Sequence, residues 1–157
     1  MLRCIKWLPY ACVGAFVIFA LLGWVLVKPT AAAGPNGPLQ YEITFRAYDV
    51  NGTEVQATAK SANGTQMGKL PEKLTRAAGT VENIFVTPTD ASKFLPRPEQ
   101  VVWRKPEEYR QWLHGQFTSS IRQQNGNVDK WHDSLSTLDN SIGPVGYVYP
   151  VIVPAAK

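Results

Sequence analysis

The chain has 157 residues, 16 basic against 12 acidic, and 45% apolar residues. That length allows one domain plus an appendage. Arg3, Lys6 and Lys28 flank an apolar segment, which leaves 13 basic residues against the 12 acidic ones in the remainder. The remainder is nearly neutral, which argues against nucleic-acid binding. Lys69, Lys73 and Arg76 cluster without interleaved aromatic rings, and Glu107 and Glu108 offset Arg104 and Lys105. The two cysteines are Cys4 and Cys12, so residues 39–157 contain no thiol chemistry, no thiolate metal site and no disulfide. Cys4 is an acylation candidate beside a membrane helix, or a free thiol of no consequence.

Residues 7–27, WLPYACVGAFVIFALLGWVLV, form an uncharged run of 21 residues. As a helix it reaches about 31 Å, the thickness of a bilayer core. Trp7, Tyr10 and Trp24 stand near its ends, where amphipathic rings favour the headgroup region. The core exceeds the usual length for a signal peptide, and Lys28 and Pro29 follow it, so an uncleaved signal-anchor is expected. The alternative is secretion after cleavage near Ala33, where Ala31 and Ala33 form a small-x-small pair. The positive-inside rule puts residues 1–6 in the cytoplasm and exports the rest. PTAAAGPNGP closes residues 28–38, a spacer expected to span about 25–30 Å.

Residues 39–157 read as one α+β domain with an antiparallel sheet and a helical hairpin. Leu39, Tyr41, Ile43, Phe45 and Ala47 alternate with polar residues, as in a half-buried strand. Val55, Ala57 and Ala59 alternate likewise. A type I turn over Asp49–Gly52, with Gly52 left-handed in a bulge, pairs Ala47 with Val55, Phe45 with Ala57 and Ile43 with Ala59. This register puts both apolar rows on one face. Asn63-Gly64 marks a second turn. The NGT triplets at Asn51 and Asn63 match the glycosylation acceptor, and turn chemistry explains them without a glycan.

Residues 70–78 predict a short helix, 80–87 a strand, 90–100 a proline-punctuated loop, and EQVVWRK a further strand. Pro106 starts a helix whose stripe is Tyr109, Trp112, Leu113, Phe117 and Ile121, with Glu107 and Glu108 at its positive end. QNGN ends it, and Val128, Trp131, Leu135 and Leu138 mark an antiparallel partner. Gly143-Pro144 stops that helix. GYVYPVIVP is a last extended segment that Pro150 confines to an edge or a bulge.

Chemistry-bearing patterns are sparse. No nucleotide-binding glycine motif occurs. Asp129, His132 and Asp133 form one polar cluster on the second helix, read as a solvated face, with weak metal binding or proton transfer as the functional alternative. Ser134 beside them is no triad, because adjacent helical side chains diverge by about 100°. His114 reads as a boundary residue. Trp131, Tyr147 and Tyr149 are candidates for a protein or glycan surface, with core packing as the alternative. The expected role is non-enzymatic, with no cofactor: an envelope subunit in a bacterial inner membrane, its domain periplasmic, contacting the bilayer through residues 7–27 and another envelope or membrane protein through its domain. A tethered sensor or small-ligand or glycan binder is the alternative, and a hydrolase stands third.

Overall fold

The computed structural model describes residues 37, 39–62 and 67–156. From Leu39 onward they belong to one compact unit, Pro38–Lys157. The apolar run 7–27, the turn at Asn63-Gly64 and all but one residue of the spacer's 28–38 lie outside, or at the margin of, the described residues. Among the described residues no helix is long and apolar enough to cross a membrane.

Strand β1, Gln40–Tyr48, is the axis of the fold. Its odd-numbered residues Tyr41, Ile43, Phe45 and Ala47 are buried, while Leu39, just before it, stays exposed. The turn after it has the expected form. Gly52 has φ +82°, and the Asp49 carboxylate accepts from the Asn51 and Thr53 amides at 2.8 and 2.9 Å. Ala47 then pairs with Val55 in the bulged register.

The hairpin stops there, and this corrects the longer pairing. Strand β2 is only Glu54–Val55, and Ala57–Ser61 forms strand β3 in a different sheet. The places opposite Phe45 and Ile43 go to Glu72 and Leu74 of strand β4, Glu72–Ala77, rather than to Ala57 and Ala59. The same strand overturns the short helix expected over 70–78. Leu70, Leu74 and Ala78 recur every four residues as on a helix face, but pairing with β1 selects the two-residue period instead. Glu72, Leu74 and Arg76 turn partly inward while Lys73 and Thr75 face solvent.

Strand β5, Val81–Pro88, pairs antiparallel with β3 and with β6, Arg97–Val102. Arg97 and Pro98, read as loop, therefore belong to a strand, and Trp103 falls beyond its end. The last strand, β7, Gly146–Ile152, lies along β1 in parallel, so the four-stranded sheet is mixed rather than wholly antiparallel. Val148 directs both backbone groups away from β1: its N–H donates to Ser141 Oγ at 3.0 Å, and its carbonyl accepts from the Tyr109 hydroxyl. Pro150, two residues on, points the same way, so its missing N–H costs the ladder nothing. The two side chains cover an otherwise open edge.

A helical hairpin supplies that cover. Its first arm is α1, Pro106–Trp112, a π turn over Leu113–Phe117, and α2, Thr118–Gln123. Asn125 at φ 59° and the Gly126 amide on the Ile121 carbonyl, 2.9 Å, close the arm in a Schellman motif. The second arm is a 3-10 turn, Val128–Trp131, and α3, His132–Asn140. Asn127 caps it by accepting from the Asp129 amide at 2.9 Å. Arg110 meets Asp139 at one end and Phe117 meets Trp131 at the other, so the arms run antiparallel.

Candidate functional site

The π turn sets the first feature of the site. Tyr109, Leu113, Phe117 and Ile121 are all buried, although steps of four residues drift about 40° each around an α-helix. A π turn holds more residues per turn and cancels part of that drift. The next row, Trp112, Gln116, Ser120 and Gln124, is aligned in the same way along the rim of a cleft.

Strand β6 forms the opposite wall. Its register places Arg97 across from Val86 and Glu99 across from Ile84, so both charged residues share the inner face of their sheet. They are half-buried where that face reaches the sheet edge. Strand β7 contributes Tyr149, and Arg104 follows β6. The cleft between them has a volume of about 220 Å³.

Its charges are arranged in a chain. Arg97 Nε donates to Glu99 Oε2 at 3.2 Å, and Arg97 Nη1 to Gln124 Oε1 at 2.7 Å. The Tyr149 hydroxyl donates to Glu99 Oε1 at 3.3 Å. Burial, and then the charge of Glu99, push the Tyr149 phenol well above its ordinary pKa, so it remains a donor. The ring of Tyr149 stacks on Trp112 at 4.9 Å, and the Arg104 guanidinium lies 5.1 Å from the Trp112 ring centre.

Of the candidates singled out in the sequence, all but Tyr149 lie elsewhere. Trp131, Tyr147 and Tyr149 are 0%, 3% and 2% exposed, so as a group they are core rather than an outward-facing surface. Trp131 packs between Tyr48 and Phe117, and Tyr147 stacks on Tyr109 at 3.8 Å. Only Tyr149 reaches the cleft, through its hydroxyl.

Asp129, His132 and Asp133 are exposed on the second arm. His132 Nδ1 lies 3.2 Å from Asp133 Oδ1, with both side chains almost fully in solvent. Asp129 and His132 do share a shallow groove of about 380 Å³ with His114 and Asp139. His114 Nε2 and Arg110 Nε approach the same Asp139 oxygen at 3.2 and 3.1 Å, and these contacts hold the Asp139 carboxyl below its usual pKa. Among the described residues no three His, Cys, Asp or Glu side chains gather closely enough to hold a metal ion.

Sequence reasoning passed over Arg97, Glu99 and Gln116, and took Arg104 only as part of a neutralised charge cluster. A signal was present in the four-residue spacing of Trp112, Gln116, Ser120 and Gln124, but which wall faces it depends on strand pairing. In comparisons with known proteins, the chain matches no family model, no curated protein and no solved structure at a significant level.

Proposed function

We propose that the chain is a non-enzymatic accessory or structural subunit of a bacterial envelope. Residues 7–27 hold it in the inner membrane with the N-terminus cytoplasmic. Its periplasmic domain works by contacting another envelope protein. The outer face of β5 and β6 supports this reading. Val81 and Phe85 are 54% and 45% exposed there. Each stands opposite a further apolar residue, Val102 and Pro98, with Asn83 and Gln100 paired between them and Lys60 across from Phe85. An apolar strip with polar neighbours is the composition of a modest protein contact.

Photo-crosslinking in native membranes tests the proposal. A photoreactive phenylalanine analogue at Phe85 of the full chain is expected to give one discrete heavier species, and the same probe at Glu107 none. Equal labelling at both positions, or none at either, overturns the reading. The alternative, a tethered sensor or small-ligand or glycan binder, draws its support from the cleft beside Arg104.

A further inference from the structure

We infer that the cleft between β6, β7 and the first helical arm binds a carboxylate group, and that Arg104 is the residue that clamps it. The inference goes beyond the protein-contact reading and does not rest on the β5–β6 face.

The other ionic groups of the cleft already satisfy one another. Glu99 accepts from Arg97 on one oxygen and from Tyr149 on the other. Arg97 also holds Gln124. Arg104 differs. Among the described residues it has no carboxylate within ion-pair distance, and its side chain makes one hydrogen bond, Nη1 to the Val102 carbonyl at 3.3 Å. A guanidinium carries five N–H donors in a fixed planar fork, so most of its capacity is open.

Arg104 is also held in place. The Val102 carbonyl fixes one nitrogen, and the Trp112 ring, itself stacked on Tyr149, lies against the guanidinium. A half-buried, positioned, unpaired guanidinium leaves the cleft with one net positive charge. Planar bidentate recognition of a carboxylate is the chemistry such a fork performs best. Gln116 on the rim adds a neutral amide donor, while the Ser120 hydroxyl is already committed to the Phe117 carbonyl at 2.7 Å.

Size narrows the class. About 220 Å³ is below the usual range for drug-sized ligands, and it suits a carboxylate on a short aliphatic stem. Two sources have that chemistry: a small free dicarboxylic acid, and a glutamate side chain of a protein partner.

The test uses the full chain in an uncharged maltoside detergent, with nitrogen-15 in its tryptophan indoles. The chain has five tryptophans, and Trp112→Phe assigns the signal of interest. Glutarate, a blocked tripeptide Gly-Glu-Gly and inorganic phosphate are titrated in turn. A saturable shift of the Trp112 signal is expected with a carboxylate probe. Arg104→Gln is expected to weaken that binding at least about tenfold, with Arg104→Lys intermediate. Unmoved Trp103 and Trp131 signals in the variants show that the core is intact, since both rings are fully buried. Tighter binding of the peptide identifies a partner's side chain as the source, and tighter binding of glutarate a free acid. No saturable shift with either carboxylate, a shift that survives Arg104→Gln, or phosphate binding as tightly as the carboxylates overturns the inference.

Discussion

Gly52 sits so close to the indole of Trp131 that a Cβ on Gly52 would fall 3.0 Å from Trp131 Cδ2. The contact joins two features that are 79 positions apart in the chain, the β1–β2 turn and the start of the second helical arm. Trp131 Nε1 donates to the Val50 carbonyl at 3.0 Å, and Ser134 Oγ to the Gly52 carbonyl at 2.6 Å. The turn that reverses the chain is also the surface on which the helical hairpin seats.

Gly52→Val therefore meets two penalties. A β-branched residue resists φ +82°, and its side chain runs into a packed ring. Together these cost about 2–4 kcal/mol, combining left-handed strain with overpacking. Thermal unfolding of the full chain in detergent, followed by near-ultraviolet circular dichroism, measures the loss. A melting temperature equal to wild type contradicts both the turn geometry and the contact.

Trp131→Ala should cost about 3–5 kcal/mol, as expected for deleting a large buried ring. Trp131→Phe keeps most of the packing but leaves the Val50 carbonyl without its donor, a loss of about 1 kcal/mol. By contrast, replacing Asp129, His132 and Asp133 with Ala, Ala and Asn should shift stability by less than about 0.5 kcal/mol each. The same melting experiment, run on all three variants, checks the order. A polar triple variant as damaging as Trp131→Ala overturns the assignment of a solvated face.

Gly146 tests the parallel pairing of β1 and β7. A Cβ there would fall 2.1 Å from the Glu42 carbonyl oxygen, a backbone atom that cannot swing aside. Gly146→Ala must push the two strands apart at the start of their ladder and should cost about 1–3 kcal/mol. Hydrogen exchange locates the damage: faster exchange along 42–48 and 146–152, with β5 and β6 unchanged, is expected. Uniform protection in wild type and variant contradicts the register.

Alkaline pH should unfold the domain through its buried phenols. Burial raises Tyr147 to about 12, and burial raises Tyr109 and Tyr149 as well. An unfolded tyrosine ionises near pH 10, so the folded state disfavours tyrosinate. The stability these groups contribute is complete below about pH 10 and is lost as pH rises toward 12. Ultraviolet absorbance of tyrosinate, recorded with circular dichroism, should show them ionising in one step with loss of structure. If Tyr109, Tyr147 and Tyr149 titrate near pH 10 while the structure persists, the aromatic core is not closed as described.

What the amino-acid order determined by itself is short-range. The β1 alternation, the Asp49–Gly52 turn, the proline start at Pro106 and the Asn125-Gly126 stop each depend on residues within a few positions of one another. Their physics is steric and local, a matter of dihedral preference, capping and side-chain periodicity. Tertiary structure decided the rest. Residues 72–77 carry a spacing that fits a helix and a strand alike, and the vacancy beside β1 chose the strand. Ala57–Ser61 alternates correctly for a partner that β1 had no room to be, so it crossed to β5. Arg104 looks neutralised by Glu107 and Glu108 along the chain, yet in space it stands over Trp112, and among the described residues no carboxylate comes within ion-pair distance of it. Strand partner, parallel direction and charge pairing depend on competition between segments far apart in the chain. Periodicity says that a face is to be buried, but not against what.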